Sequence, residues 1–211
     1  MSTTMSARRA HTRDRLLDAA VALFAEKGVL GASVEEICER AGFTRGAFYS
    51  NFDSKDELVL AAIERKGTEI HRSAAAAVDS IPDVRVEPGS TDAMIRQAML
   101  VFQASQALSP TWLLARSEMR LYALRNPALR EPLRAVEQRV NDLLIAAIEA
   151  AIARQGATLA IPSSELVRVL EGYYEALAIE ALVSGSGLEG PEWAERLADL
   201  TRSLVRFDPG R

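Results

Sequence analysis

Arg45 and Tyr49 lie close together in the sequence, and their side chains suit contact with nucleic acid. A guanidinium can donate hydrogen bonds to both the O6 and N7 atoms of one guanine, and a phenol hydroxyl can donate to a phosphate oxygen. Gly46 stands between them in a stretch whose pattern is helical, where glycine costs about 1 kcal/mol relative to alanine. A glycine placed at that cost indicates close approach of the backbone to another molecule.

Two short helices are predicted to position these residues. The first covers residues 33–40, because Ser33 and Glu36 form an S-x-x-E capping box that satisfies free N–H groups at a helix start. Apolar residues then share one face of this helix, namely Val34, Ile37 and Ala41.

A tight turn separates this helix from the second one. Gly42 follows the last periodic residue, where a left-handed C-terminal cap favours glycine, and Thr44 is a suitable N-cap two residues on. The second helix is predicted over residues 44–51. Two helices joined by a short turn that contains glycine match the helix-turn-helix signature, whose second helix enters the major groove of DNA.

An ordered series of residues surrounds the two helices. Phe24 and Gly28 give F-x-x-x-G, and a longer run follows in the order Ser33, Ile37, Ala41, Gly42, Phe43, Thr44, Gly46, Phe48, Tyr49, Asn51, Phe52, Ser54, Lys55, Glu57 and Leu58. With this series, residues 13–60 resemble the N-terminal domain of the TetR/AcrR family of transcriptional repressors. The chain departs from the family pattern at Cys38 for alanine, Phe43 for valine, and Asn51 for histidine or tyrosine.

The resemblance implies a set of DNA contacts. It points to Thr44, Arg45, Gly46 and Tyr49 on the recognition helix, with Ser33 and Lys55 on the phosphates. Lys55 is also a positive charge at a predicted helix N-terminus, against the preference of the helix dipole, which favours a phosphate contact.

Basic residues crowd the N-terminus although the whole chain has a net charge of −4. They are Arg8, Arg9, Arg13 and Arg15, with Asp14 alone against them. DNA needs only a local basic surface, so Arg13 joins the predicted DNA contacts. The alternative for residues 1–9 is a solvated tail.

The composition excludes several classes of protein. Of 211 residues, 48% are hydrophobic and 26% charged, an ordinary balance for a globular protein. The single cysteine excludes an internal disulfide and a cysteine-based zinc site. No apolar stretch reaches about 18 residues, and no apolar region typical of a secretory signal follows the early arginines. We therefore expect a cytoplasmic protein with no membrane partner, no cofactor and no metal.

Helical periodicity covers the rest of the chain. A first helix is predicted over residues 12–27 with Gly28 as its stop, and a fourth runs from Ser54 towards Val78. A loop at residues 80–91 precedes helices at about 91–108, 110–125, 129–154, 163–184 and 191–206, and no strand pattern competes.

The predicted fold class is all-α, with two domains. An N-terminal three-helix helix-turn-helix domain over residues 10–70, with its motif at 33–52, is joined by the fourth helix to a C-terminal bundle over residues 71–211. The resemblance assigns ligand binding and dimerisation to that bundle.

The last two predicted helices carry broad apolar faces that need a partner surface. In the family these helices pair with their two-fold mates, and a two-fold dimer suits a palindromic operator. The predicted interface residues are Tyr173, Leu177, Trp193, Leu197, Leu200 and Leu204. The alternative is packing wholly inside one subunit.

Adaptable and aromatic side chains are concentrated in residues 91–125, which hold three of the five methionines. They predict a pocket for a small apolar or aromatic effector, formed by Met94, Met99, Phe102, Gln103, Trp112, Arg116, Met119 and Tyr122. The alternative is that the apolar members are core residues.

Other patterns have simpler explanations. The G-x-G-x-x-G of residues 185–190 follows a helix rather than a strand, so it lacks the context of a dinucleotide site. His11 and His71 are the only histidines and accompany no nucleophile motif, so we predict that the protein is not an enzyme. The remaining alternative is a helical interaction module or a helical enzyme without a DNA role.

Overall fold

A computed structural model describes residues 2–79, 95, 109–154, 157–186 and 191–207. Eight helices and two short strands lie in this part of the chain. The helices are α1 (Ser2–Gly31), α2 (Val34–Ala41), α3 (Arg45–Tyr49), α4 (Lys55–Asp79), α5 (Pro110–Arg125), α6 (Pro127–Arg154), α7 (Ser163–Ser184) and α8 (Pro191–Leu204). The strands are β1 (Ala157–Leu159) and β2 (Val205–Phe207). The all-α prediction is confirmed.

The chain divides into two compact units. Of the described residues, 2–66 and 109–137 form unit 1, and the others form unit 2. Unit 1 therefore contains α5, which packs against α1, although its place in the sequence led us to group it with the C-terminal domain. The helices α4 and α6 each have residues in both units.

The first helix is broken at Gly28, the residue predicted to stop it. Gly28 has φ 76° and ψ 165°, outside the helical region and on the side of φ that favours glycine. A Cβ there would lie 2.8 Å from the Glu118 Oε2 atom of α5, the end of a flexible side chain that can move aside, so it is the backbone conformation that favours glycine. At its other end α1 starts at Ser2, well before the predicted start.

The core of unit 1 surrounds the helix-turn-helix motif. Phe24, Phe48 and Phe52 are fully buried in it, and each such side chain contributes about 1.5–3 kcal/mol by its removal from water. Phe48 and Phe52 are spaced four residues apart and therefore point to the same side of the chain, into this core. A five-residue helix such as α3 is not stable by itself, so this packing holds it in place.

Unit 2 contains α7, which has the bounds that its periodicity predicts. Its inward face carries Leu166, Val167, Leu170, Tyr174, Leu177, Ala178 and Ala181. His71 of α4 is also buried, and its Nε2 atom lies 2.7 Å from the Glu171 carboxylate of α7. Burial raises the pKa of the Tyr174 hydroxyl.

A two-stranded antiparallel ladder pairs β1 with β2 in unit 2. Ala157 lies opposite Phe207, and Leu159 lies opposite Val205. The sequence pattern predicts no strand here, because three residues are too few for a period of two to stand out from helical spacing.

Candidate nucleic-acid interface

The α2 helix begins with the predicted capping box. The Ser33 hydroxyl accepts from the Glu36 amide at 3.2 Å, and the Glu36 carboxylate accepts from the Ser33 amide at 2.9 Å. Glu36 also pairs with Lys27. The Lys27 hydrogen bond, followed by the bonds from Ser33, lowers the pKa of Glu36 to about 2.

The turn between α2 and α3 has the conformation that its glycine predicts. Gly42 is left-handed, with φ 75° and ψ 32°, and its amide donates to the Cys38 and Glu39 carbonyls. Thr44 then caps α3, because its hydroxyl oxygen accepts from the Ala47 amide at 3.3 Å. Both caps were predicted.

The C-terminal end of α3 is held by two arginines of α1. Arg9 Nη2 donates to the Ser50 carbonyl and Arg13 Nη1 donates to the Asn51 carbonyl, each at 3.0 Å. Cations at a helix C-terminus also stabilise the helix dipole. These carbonyl contacts were not predicted, although the two arginines are four residues apart and so share one face of α1.

Four predicted DNA contacts are exposed together on α3 and its cap. They are Thr44, Arg45, Gly46 and Tyr49, while the next residue on the inner side, Phe48, is buried. The fold thus separates a polar outer face from an apolar inner face within five residues. Ser33 is exposed as well, at the start of α2.

Arg45 is the most exposed cation of this face and forms an ion pair. Its Nη1 atom lies 2.5 Å from the Glu35 Oε1 atom, and its guanidinium carbon lies 5.8 Å from the centre of the Tyr49 ring. A hydrogen bond with Tyr49 and the charge of Glu35 raise the pKa of Arg45. The guanidinium therefore remains charged and is presented beside an aromatic face.

Gly46 is not required by the fold. Its backbone φ is not positive, and a Cβ there would lie 3.7 Å from the nearest atom, Thr44 Oγ1, which is ordinary contact. Glycine nonetheless weakens a helix relative to alanine. The packing and the backbone conformation therefore give no reason for glycine at this position.

Arg13 and Lys55 are held differently from the other predicted contacts, because both bind backbone carbonyls of unit 1. Lys55 Nζ donates to the Val29 carbonyl at 2.8 Å and to the Ala32 carbonyl at 3.1 Å. The Arg13 guanidinium, besides its bond to Asn51, lies 4.3 Å from the centre of the Phe52 ring. These contacts explain a cation at each position without a phosphate.

Of the eight predicted pocket residues, the structure describes four, and all four lie on α5. Trp112 and Met119 are buried in unit 1, and Tyr122 donates to the Asp56 carboxylate at 2.6 Å. That hydrogen bond raises the pKa of Tyr122 to about 12. Arg116 is half-buried in the same helix. Met94, Met99, Phe102 and Gln103 lie outside the described residues.

The predicted dimer residues divide into two groups. Leu177 and Leu197 are buried within unit 2, where they fill the core of the subunit itself and have little surface left for a partner. Tyr173, Leu200 and Leu204 are half-buried, whereas the side chain of Trp193 is not among those that the structure describes. Sequence periodicity could not separate the two faces of α7, because both are apolar.

Two further features have structural roles. Cys38 is buried, and its desolvation raises the pKa of the thiol, which disfavours the reactive thiolate. Gly185 ends α7 in the left-handed conformation, with φ 72°, so a helix and not a strand precedes the G-x-G-x-x-G pattern. Gly187 and Gly190 lie outside the described residues.

Among the described helices, none has the length and apolar character to cross a membrane.

The capped two-helix motif with an exposed polar face on α3 defines a helix-turn-helix DNA-binding protein. Residues 16–62 match the family model described as bacterial regulatory proteins, tetR family. The chain is 32% identical over 152 residues to the HTH-type nicotine-responsive transcriptional repressor HdnoR of Paenarthrobacter nicotinovorans, covering 70% of this chain and 73% of that protein. The chain belongs to the tetR family of transcriptional regulators.

Other relatives match over the motif or over the fold. The HTH-type transcriptional regulator AcrR of Shigella flexneri is 47% identical over 47 residues, which cover 22% of each chain. Salmonella enterica GusR has a TM-score of 0.64 at 22% identity, covering 92% of this chain and 94% of its own. This likeness supports the all-α fold beyond the motif.

Proposed function

We propose that the protein is a homodimeric repressor that binds a palindromic operator through α3 and releases it when a small molecule binds. The exposed face of α3 carries the proposal, because it combines Arg45, Tyr49 and Thr44 with a glycine that the fold does not require. The regulated DNA sets the place of action, which we propose is the cytoplasm.

In this proposal each polar group of the face has one role. Arg45 holds a guanine edge, since residues in the first turn of a recognition helix are the ones directed at bases. Gly46 lets the α3 backbone approach the DNA, and Tyr49 donates to a phosphate. Thr44 donates its hydroxyl hydrogen to a phosphate while its oxygen caps α3. Ser33 reaches a phosphate by exchanging the hydrogen bond that its hydroxyl donates to the Glu36 carboxylate at 2.8 Å.

Dimerisation is proposed through the outward face of α7. Exposed small and apolar residues recur there at intervals of three and four, the seam spacing of paired helices, in the order Val169, Gly172, Ala176, Ile179 and Val183. Val183 is 84% exposed, and a Cβ on Gly172 would meet nothing within 4 Å. A two-fold pair would place two recognition helices on half-sites about 34–36 Å apart.

Release by an effector is supported by the contacts of α5. Tyr122 binds Asp56 in the first turn of α4, and Asn126 Nδ2 lies 3.4 Å from the same carboxylate. The start of α4 directly follows the motif, so a shift of α5 would move the support of α3. The relative from Paenarthrobacter is named nicotine-responsive and a repressor, which supports an aromatic effector and a repressing role for this chain.

Selection of binding sequences from a random pool of duplexes tests the DNA role. We expect enrichment of a two-fold symmetric sequence, protected over two half-sites on one face of the DNA. Recovery of no enriched sequence by the purified dimer would contradict the proposal and favour a helical interaction module.

A further inference from the structure

Glu35 occupies the surface where the recognition arginine lies. It is in the first turn of α2, and its Oε1 atom is 2.5 Å from Arg45 Nη1 of α3. Both side chains are more than half exposed, at 57% for Glu35 and 59% for Arg45. An acidic group therefore stands on the face that our proposal directs towards DNA.

The folding of α2 does not explain this carboxylate. The capping box uses Glu36, whose side chain reaches back to Ser33 and pairs with Lys27. Glu35 adds a favourable charge near the helix N-terminus, but Glu36 already supplies one in the same turn. Next to a phosphate backbone, moreover, an acidic side chain lowers affinity for every sequence.

We infer that Glu35 is a specificity-determining residue, which keeps the Arg45 guanidinium paired on non-specific DNA and gives it up only to a guanine edge in the operator. The inference rests on the proposed function, since it requires Arg45 to read a base. Glu35 acts through Arg45 and is not itself a base contact.

Glu35 competes with DNA for the Arg45 guanidinium, and guanine and phosphate differ in how well they displace it. An exposed ion pair is weak in water, so a partner of matched geometry can displace the carboxylate. Guanine presents two acceptors, O6 and N7, that match the two outer nitrogens of a guanidinium. A contact between the flexible arginine and a phosphate forms equally well on any DNA sequence. Glu35 thus reduces the gain from the phosphate contact and leaves the guanine contact as the productive one.

The test compares Glu35→Gln with Glu39→Gln, which makes the same charge change at another exposed position of α2. Binding is measured by fluorescence anisotropy on two duplexes of equal length, the operator obtained by selection and a random sequence. We expect Glu35→Gln to bind the random duplex about three- to tenfold more tightly and the operator less than twofold more tightly, so that the specificity ratio falls. Glu39→Gln should leave that ratio unchanged.

Salt dependence identifies the route of the effect. On random DNA, Glu35→Gln should steepen the slope of log K against log salt by about one, because the freed Arg45 neutralises one more phosphate. In the Arg45→Ala background, Glu35→Gln should change neither the specificity ratio nor the slope beyond the change given by Glu39→Gln.

Three outcomes would overturn the inference. An equal gain on both duplexes would make Glu35 a source of general repulsion only. A loss of operator affinity in Glu35→Gln would show that Glu35 itself contacts a base, since a carboxylate can accept a hydrogen bond from cytosine N4. An undiminished effect in the Arg45→Ala background would show that it does not act through Arg45. Failure of the proposed function is distinct, since selection would then recover no operator, or Arg45→Ala would bind the selected operator like the wild type.

Discussion

The Arg13 guanidinium of α1 binds the Asn51 carbonyl at the end of α3, with a nitrogen to oxygen distance of 3.0 Å. It also lies 4.3 Å from the centre of the Phe52 ring, so one side chain joins the first helix to the recognition helix by charge and by ring contact. Arg9 repeats the carbonyl contact at Ser50. The orientation of α3 thus depends on α1.

Arg13→Ala should lower the stability of the free protein. Because a charged hydrogen bond and a cation–π contact are lost, we expect the free energy of unfolding to fall by about 1–2 kcal/mol. Urea unfolding without DNA measures it. Arg8→Ala, an exposed arginine on the same helix, is the matched control and should change stability by less than about 0.5 kcal/mol. A wild-type stability for Arg13→Ala together with weaker DNA binding would return Arg13 to the direct phosphate contacts.

Lys55→Met should destabilise the turn between α1 and α2. Two carbonyls lose their charged donor while the apolar stem is retained, and we expect a loss of about 1–3 kcal/mol in unfolding free energy. The salt slope of operator binding should stay within experimental error of the wild type. A slope reduced by about one, with unchanged stability, would instead identify Lys55 as a phosphate contact.

Gly46→Ala should separate DNA binding from folding. Alanine fits the open space at this position and favours the helix by about 1 kcal/mol, so stability should rise or stay constant while operator affinity falls. Gly42→Ala is the contrasting variant, because its φ of 75° is strained for alanine and should cost about 1–2 kcal/mol. Wild-type affinity for Gly46→Ala would show that the α3 backbone does not approach the DNA closely.

Acid should weaken the helix-turn-helix motif through Glu36. Its pKa is lowered to about 2 in the folded protein from an ordinary value of 4.5, so the stabilisation is present above pH 4.5 and is lost as the pH falls towards 2. Glu36→Gln should flatten the decline of stability over this window. Stability curves of equal slope for Glu36→Gln and the wild type would contradict this role.

Ile179→Glu should convert the protein into a monomer, because it places a charge on the exposed seam of α7. Light scattering at micromolar concentration measures the change, and operator affinity should fall with it as one half-site contact is lost. Leu124→Glu, at an exposed leucine of α5, is the control and should remain dimeric. A monomeric wild type, or a dimeric Ile179→Glu, would move the interface elsewhere or remove it.

Local interactions explain which parts of the fold the sequence predicted well. The capping box of Ser33 and Glu36, the left-handed Gly42 and the bounds of α7 each depend on residues within one or two helical turns. Such signals are visible in the residue order alone. The exposed face of α3 followed from the same local signals.

Contacts between distant segments explain what the sequence did not reveal. The sequence shows only that Lys55 stands at a helix start, whereas its carbonyl partners lie in the last turn of α1 and directly after it, 26 and 23 residues earlier. The placement of α5 against α1 likewise joins residues far apart in the chain. For α7, the choice between its two apolar faces required the packing of the whole unit.

The base contact of Arg45 is measured by the binding of Arg45→Ala to the selected operator and to operators changed at one base pair at a time. We expect a loss of roughly ten- to hundredfold on the operator and a relaxed preference at one guanine position in each half-site. An Arg45→Ala protein that folds normally and keeps the wild-type preference at every base pair would contradict it.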